Sequence, residues 1–482
     1  MSRLRSKSKS RSTSYSSPAI FDQRSRPPRS PLPTWSRTFT MTLGVLRGTL
    51  ERNKDSVARA RLLTGKAATP VPFRVKLAKI YIPRRSDVLP EGMSAADAQG
   101  VVKGEWVDWD PVENEKVPAE RVILYIHGGA YFICNRKTHR GITYRLAKYS
   151  QARLLAIDYR LAPEAVFPLP LNDIISAYLF LIDPPPHTGA PKYRPEQVTF
   201  MGDSAGAALA LSALLWLRDN GRQYPMPGAA ALISPWMDLT HSMPSWRLNN
   251  PYDYLPDGSR DPKYITADRS HYYVKDNSQL AHPLISPLFA CEDASRPIPP
   301  LLIQCGDAEK LRDEIITFVA ARFPNSPITL EMYEDQPHVF HMFATFETIS
   351  RVALRRMGAW TMDITRARRR MHDEKHGTRR HHADDDDDAS SFPRPSRRQV
   401  LHVSNHKGHA ITPVQDPLQI VDEARIILQE RGQWVDGHPQ MSRSASMFVL
   451  DPDVALYDSD VAQELDGLAI GGGQMRAGKA LE

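Results

Sequence analysis

The sequence predicts an α/β fold in which a mostly parallel central sheet is flanked by helices, with a helical cap and disordered tails. Three apolar runs, at residues 122–126, 198–201 and 301–305, are typical of buried parallel strands. Each run leads within two residues to glycine, and the second passes through a turn into the helix-forming stretch 207–217. This alternation of strands with helices favours a parallel sheet.

The turn after the second strand carries the most informative motif. Residues 202–206 read Gly-Asp-Ser-Ala-Gly, between the apolar run and the helix-forming stretch. In this context Ser204 is predicted to sit on a tight turn as an exposed nucleophile. Flanking glycines let the backbone pass close by, and the following helix directs its positive N-terminus at the same point. We therefore predict that Ser204 is a catalytic nucleophile.

A glycine loop follows the first strand. The N–H groups at Gly129 and Ala130, together with that of Ala205, can stabilise the oxyanion of a tetrahedral intermediate. We predict an oxyanion hole formed by Gly128, Gly129, Ala130 and Ala205. The neighbouring His127 is expected to be structural.

Four acidic residues follow the third strand: Asp307, Glu309, Asp313 and Glu314. A carboxylate just past a strand end can orient an imidazole and select its tautomer. At most one of the four serves this purpose, and the others are expected to be surface charges or helix N-terminal charges.

A histidine completes the pattern. The alternating residues 328–333 predict a further strand, and a turn then leads to His338, which is placed to act as general base. Serine, acid and histidine thus occur in the chain order of α/β-hydrolases.

Further motifs carry a resemblance to a known family. Residues 159–164 read Tyr-Arg-Leu-Ala-Pro-Glu, residues 167–168 read Phe-Pro, and residues 234–240 read Ser-Pro-Trp-Met-Asp-Leu-Thr. With the serine motif, these resemble the hormone-sensitive-lipase-like branch of the α/β-hydrolase fold, over roughly residues 70–360. The resemblance implies an esterase or lipase with a helical cap over its active site.

Two positions depart from the family pattern. Ala130 stands where the family has the third glycine of the oxyanion motif. Its backbone N–H is still available, so we expect function to survive unless the site needs positive φ. Aligning the family's acid segment with residues 309–314 puts Glu309 where the family has aspartate. The resemblance therefore implies a catalytic triad of Ser204, Glu309 and His338, with Asp307 as the alternative acid.

The predicted function is hydrolysis of a small-molecule or lipid carboxylic ester through an acyl-enzyme, without metal or cofactor. Two alternatives stay open: a catalytically silent scaffold or binding protein that uses the charged tails, and an amidase or deacetylase on the same triad. Tyr252, Tyr254, Tyr272 and Tyr273 are candidates for lining a substrate pocket, although packing within the cap is favoured.

Charge is concentrated in the flanks. The 482 residues carry a net charge of +7; residues 1–30 and residues 351–380 each carry +7, so the remainder carries −7. This distribution argues against a nucleic-acid-binding active site and allows weak contact of the basic tails with anionic membranes. Three cysteines make a disulfide framework improbable, and no apolar run is long enough to span a bilayer. We expect a cytoplasmic protein, with or without peripheral contact to a lipid surface.

The predicted organisation has three parts. Residues 1–35 form a disordered basic tail, and residues 36–360 form the hydrolase domain, with cap segments at about 36–80 and 238–290. Residues 361–482 are expected to be largely disordered, with one short helix at 415–432.

Overall fold

The structure is a computed structural model, and it describes most of the chain between residues 32 and 439. The described residues are 32–54, 56–65, 68–109, 120–220, 223–256, 271–375, 398–405, 410–430, 434–435 and 438–439. The predicted tail up to residue 31 and the acidic run 384–388 lie outside them. Contact of the basic tails with an anionic membrane therefore stays a prediction.

A ten-stranded sheet forms the centre of the molecule. Its strands are β1 (Val75–Pro83), β2 (Val101–Trp109), β3 (Val122–Ile126), β4 (Arg153–Asp158), β5 (Val198–Asp203), β6 (Ala229–Ile233), β7 (Leu301–Gly306), β8 (Ile328–Tyr333), β9 (Gln399–Val403) and β10 (Ile411–Pro413). The spatial order is β1-β2-β4-β3-β5-β6-β7-β8-β9-β10. β2 runs antiparallel to β1 and β4, β10 runs antiparallel to β9, and the pairs from β4 to β9 are parallel. The predicted mostly parallel sheet is confirmed.

Helices cover both faces of this sheet. They are α1 (Arg37–Asn53), α2 (Val57–Gly65), α3 (Arg140–Ser150), α4 (Leu169–Ile182), α5 (Ala205–Asn220), α6 (Ser245–Leu248), α7 (Arg312–Thr317), α8 (Thr348–Lys375) and α9 (Leu418–Glu430). Two further two-residue strands, β11 (Trp434–Val435) and β12 (His438–Pro439), pair with each other.

The side chains of β3 alternate between the two faces of the sheet, and this alternation explains why a layer of helices covers each face. Leu124 and Ile126 pack in an apolar cluster with residues of α4 and α5. Ile123 and Tyr125 point the other way and pack in a second cluster with residues of α3 and α8. Because successive side chains of a strand face opposite sides, a wholly apolar strand needs helices on both faces.

The N-terminal boundaries differ from the prediction. Leu32 is buried, so the last residues of the predicted tail pack against the body. Helices α1 and α2 form the expected helical segment, but it ends at Gly65, and β1 begins at Val75 inside the range predicted for the cap. The second predicted cap segment contains, within its described part, only α6 and the short 3₁₀ turns at Asn277–Gln279 and Pro287–Phe289.

The C-terminal region also differs. Helix α8 continues to Lys375, and β9 and β10 extend the sheet beyond β8, so the described part of 361–482 is not a solvated tail. The predicted helix at 415–432 is present as α9, whose Ile420, Val421 and Leu428 are buried. Burial of such a side chain contributes about 1.5–3 kcal/mol, which favours packing of this helix on the body.

Within the described ranges, no helix combines the length and apolar character needed to cross a bilayer. All three cysteines are described, and each is a free thiol.

Candidate active site

Ser204 occupies the turn between β5 and α5. Its φ of 52° is left-handed, a conformation that costs a residue with a Cβ roughly 1–2 kcal/mol. A Cβ at Gly206 would lie 2.2 Å from the carbonyl oxygen of Ile126, so only glycine fits there. The turn therefore presses against the end of β3 and presents the serine at the carboxyl edge of the sheet.

His338 lies next to Ser204, although 134 residues separate them in the chain. The Nε2 of His338 is 2.9 Å from the Oγ of Ser204, and both residues are largely buried. Burial lowers the pKa of His338 below its ordinary value, while the charges of Asp253 and Asp203 oppose that shift. The imidazole is thus neutral near pH 7 and able to accept a proton.

Glu309 lies at the same edge, just after β7. Its Oε2 accepts hydrogen bonds from the hydroxyl of Ser234 at 2.7 Å and from the N–H of Gly306 at 3.1 Å. Its Oε1 and the Nδ1 of His338 are both buried, and neither has a hydrogen-bond partner among the described residues. Burial raises the pKa of Glu309 well above its ordinary value, and the Ser234 hydroxyl opposes this.

The other three acids of this segment are buried, so none is a surface charge, while Asp313 and Glu314 lie in the first turn of α7, as the helix N-terminal alternative expects. Asp307 accepts the N–H of Asp335 at 2.8 Å and lies 3.4 Å from the Nε2 of His402. The remaining two, Asp313 and Glu314, are buried and accept backbone N–H groups of the 234–245 segment. Each carboxylate is held by donors, as buried charges require.

The glycine loop after β3 forms a left-handed backbone. Gly129 has φ of 116°, and a Cβ there would lie 2.3 Å from the carbonyl oxygen of Ile133. Ala130 has φ of 51°, so the position that departs from the family pattern does require positive φ. Alanine adopts this conformation at a cost of roughly 1–2 kcal/mol, and its N–H stays in the loop. The N–H groups of Gly129, Ala130 and Ala205 have no acceptor in the part of the chain that is described.

Gly128 differs from the prediction as an oxyanion donor. Its N–H donates to the Oδ1 of Asp203 at 3.0 Å, so it is engaged within the protein. The same carboxylate accepts the hydroxyl of Tyr125 at 2.6 Å and lies 3.1 Å from the Nε2 of His139. Gly128 therefore anchors the loop, and its neighbours carry the available N–H groups.

The pairing of Asp203 with His139 was not predicted. Burial alone would raise the pKa of Asp203 and lower that of His139, but their attraction outweighs burial in both cases. The pKa of Asp203 is lowered and that of His139 is raised. The aspartate of the serine motif was visible in the sequence, but nothing in the sequence pointed to His139.

His127 is structural, as expected. Its Nδ1 lies 2.7 Å from the carbonyl oxygen of Gly128, and its ring stacks on Tyr159 with centroids 4.5 Å apart. Burial, together with the charge of His139, lowers the pKa of His127 to about 3. A ring so hard to protonate is a poor general base at neutral pH.

The cap tyrosines mainly pack. Tyr252, Tyr254 and Tyr273 are buried, and Tyr273 stacks on Tyr131 with centroids 4.0 Å apart. Among the described residues, no group of three or more His, Cys, Asp or Glu is arranged to hold a metal ion.

Ser234 is a further site residue whose role the sequence did not reveal. Its Oγ donates to Glu309 and accepts the N–H of Val339 at 3.1 Å, so it joins the acid to the residue next to His338. It belongs to the Ser-Pro-Trp motif, and that motif was the available signal.

Comparison with known proteins agrees with this geometry. Residues 123–342 match the model of a family described as alpha/beta hydrolase fold. An acetyl-hydrolase of Streptomyces hygroscopicus is 36% identical over 248 residues, which span 51% of this chain and 76% of that protein. An esterase of Acinetobacter venetianus is 32% identical over 237 residues, spanning 48% and 73% respectively.

Solved structures show the same likeness. An esterase/lipase from an uncultured bacterium matches with a TM-score of 0.55 at 28% identity, over 69% of this chain and 99% of that one. An esterase from the bacterial hormone-sensitive lipase family matches with a TM-score of 0.51 at 27% identity, over 67% and 98%. This chain therefore belongs to the hormone-sensitive-lipase-like esterases and lipases of the α/β-hydrolase fold, a family of carboxylic ester hydrolases.

Proposed function

We propose that the protein is a serine hydrolase that cleaves uncharged carboxylic esters through an acyl-enzyme. The observation that carries the proposal is the distance of 2.9 Å between the Nε2 of His338 and the Oγ of Ser204. A neutral imidazole at that distance can take the serine proton as the oxygen attacks the ester carbonyl.

Glu309 is the proposed third member of the triad. Its Oε1 and the Nδ1 of His338 are a buried acceptor and a buried donor that each lack a partner among the described residues, and we propose that they form their hydrogen bond when substrate binds. Because burial raises the pKa of Glu309, its negative charge is most favourable when His338 becomes positive beside it. Glu309 thus stabilises the imidazolium that forms in the transition state.

The oxyanion is proposed to bind the N–H groups of Gly129, Ala130 and Ala205. All three lack acceptors within the described residues, and Ala205 begins α5, whose N-terminal end carries partial positive charge. Loss of one such donor typically costs on the order of 100-fold or more in rate.

The reaction then proceeds in two halves. His338 returns its proton to the alcohol as the ester C–O bond breaks, which leaves the acyl group on Ser204. In the second half His338 takes a proton from water, hydroxide adds to the acyl carbonyl, and the released serine recovers the proton. The acid appears as the second product.

The test is hydrolysis of p-nitrophenyl esters from acetyl to palmitoyl. We expect Ser204→Ala to lower kcat by on the order of 10⁵-fold or more and Glu309→Gln by on the order of 10³ to 10⁴-fold. Asp307→Asn is the matched control, because Asp307 faces Asp335 and His402, and it should keep at least about a third of the activity.

The outcomes separate the assignments. Collapse of Asp307→Asn with survival of Glu309→Gln would move the acid to Asp307. A folded wild-type protein that cleaves no ester in the panel would overturn the proposal itself.

A further inference from the structure

The loop that carries His338 is contacted by segments from both ends of the chain. We call residues 334–338 the histidine loop; it connects β8 to His338. The family match ends at residue 342, yet β9, which begins at Gln399, pairs in parallel with β8 and continues alongside this loop. The N-terminal residues Thr34 and Trp35 reach the loop from the other side.

The backbone of this loop is strained where it positions the base. Asp335 has φ of 58°, and Val339 has φ of 42°, so left-handed residues lie on both sides of His338. A β-branched residue such as Val339 rarely adopts this conformation. Such backbone costs about 1–3 kcal/mol per residue and persists only where surrounding contacts hold it.

The C-terminal strand supplies the first set of contacts. The N–H of Glu334 donates to the carbonyl oxygen of Val403 at 3.0 Å. The carboxylate of Glu334 accepts the hydroxyl of Ser404 at 2.9 Å and the N–H of Asn405 at 2.8 Å. The start of the histidine loop is therefore bound to β9 by backbone and side chain together.

Asp307 joins β9 to the strained residue. Its Oδ1 accepts the N–H of Asp335 at 2.8 Å, and its Oδ2 lies 3.4 Å from the Nε2 of His402 on β9. The side chains of Asp307 and His402 are only 5% and 13% exposed, so solvent weakens this contact little.

The N-terminal segment holds the other side of Asp335. The hydroxyl of Thr34 donates to the Oδ2 of Asp335 at 2.9 Å, and the indole N–H of Trp35 donates to its carbonyl oxygen at 2.6 Å. The ring of Trp35 packs edge-to-face on Phe39 of α1. Asp335 is thus held by residues that lie about 300 positions before it, by the acid loop and, through Asp307, by β9.

We propose that Asp307, His402 and Trp35 are positioning residues for the His338 base, and that the segment 398–405 is part of the catalytic unit. This inference rests on the proposed function, because it assigns residues to the reaction proposed there. It explains why Asp307 is buried beside the site with its carboxylate on Asp335 and His402.

The experiment compares kcat per active site in the full-length protein. Sites are counted by the p-nitrophenolate released when diethyl p-nitrophenyl phosphate phosphorylates Ser204, and esterase activity is measured on p-nitrophenyl butyrate. We expect His402→Ala and Asp307→Ala each to lower kcat about 10-fold with KM changed less than about two-fold, because the base is displaced while the substrate contacts remain. Asp307→Asn should restore at least a third of wild-type kcat, because an amide oxygen still accepts the N–H of Asp335.

Trp35→Phe is a second variant that removes the N–H donor while a smaller aromatic ring still faces Phe39. We expect its kcat to fall about three-fold or more with KM changed less than about two-fold, while the lost hydrogen bond also lowers the melting temperature. The matched control is Gln419→Ala on α9, whose exposed side chain donates to the partly exposed Glu423 and should leave kcat as in wild type.

The outcomes distinguish the two proposals. If wild type neither titrates nor cleaves the ester, the proposed function fails. If wild type is active while His402→Ala, Asp307→Ala and Trp35→Phe keep full kcat per titrated site, the positioning role is overturned, even where the melting temperature falls. If His402→Ala or Asp307→Ala does not fold, Trp35→Phe decides alone.

Discussion

The single hydroxyl of Ser234 connects the proposed triad acid to the residue that follows His338. It donates to Glu309 and accepts the N–H of Val339, and it is fully buried. Its own φ of 43° is left-handed, which turns the chain after β6 so that the side chain can make both contacts. A hydroxyl serves here because it can donate and accept at once.

Ser234→Ala should lower kcat about 10-fold and also lower stability. The variant leaves a buried carboxylate oxygen and a buried N–H without this partner, which costs about 1–3 kcal/mol for each unsatisfied group. The check is kcat on p-nitrophenyl butyrate together with the melting temperature. Ser212→Ala is the control, since Ser212 is a buried serine of α5 that bonds only to the carbonyl oxygen of Ala208. Equal kcat in the two variants would argue against a catalytic role for Ser234.

At the scale of elements, Arg61 connects helix α2 to the glycine loop after β3. The Nε of Arg61 donates to the carbonyl oxygen of Phe132 at 2.8 Å, and its Nη2 donates to that of Ala162 at 2.5 Å. The same guanidinium forms a bidentate salt bridge with the carboxylate of Glu164, with N–O distances of 2.8 and 2.7 Å. The N-terminal helices thus contribute to the shape of the loop that carries Ala130.

Arg61→Lys should lower kcat/KM about 10-fold, because an ammonium group cannot replace the planar fork that reaches both carbonyl oxygens. Glu164→Gln should change it less than about two-fold, since the carboxylate is largely exposed and such surface pairs contribute little. The two variants are compared by ester hydrolysis at matched concentrations of active sites. A larger loss in Glu164→Gln than in Arg61→Lys would contradict this assignment.

At the scale of the whole molecule, the stability of the fold is linked to pH through buried neutral histidines. The Nε2 of His341 is 2.9 Å from the Oε1 of Gln304. The amide nitrogen of Gln304 in turn donates to Glu331, to Tyr333 and to the carbonyl oxygen of Ala353. Burial lowers the pKa of His341 from 6.5 to about 3. Between these values the unfolded chain binds a proton that the folded protein does not, so stability is lost as pH falls below 6.5.

His341→Gln should therefore reduce the pH dependence of stability. From pH 6.5 to pH 5 the wild-type histidine costs about 2 kcal/mol, since each pH unit in this range corresponds to about 1.4 kcal/mol. Urea unfolding at pH 7 and pH 5 measures the difference in each protein, and other titrating groups cancel between them. The same pH dependence in both proteins would show that folding does not lower the pKa of His341.

The turn that carries Ser204 and the approximate positions of the strands could be predicted from sequence because their signals are local. An apolar strand, two glycines around Ser204 and a helix-forming stretch lie within about twenty residues, and sterics alone favour that turn. The parallel sheet follows from the wholly apolar strands, which need cover on both faces.

Other features depended on pairs of residues that are distant in the chain. Asp307 and His402 are 95 residues apart, Ser234 and Val339 are 105 apart, and no short-range pattern couples them. The hydrogen bond from the Gly128 N–H to Asp203 also joins residues that are distant in the chain, and so does the pairing of β9 with β8. Sequence by itself determined the residue types at the site and their local turns. Tertiary structure alone decided which acids, donors and strands meet, because edge pairing and buried hydrogen bonds are selected only when the whole core closes.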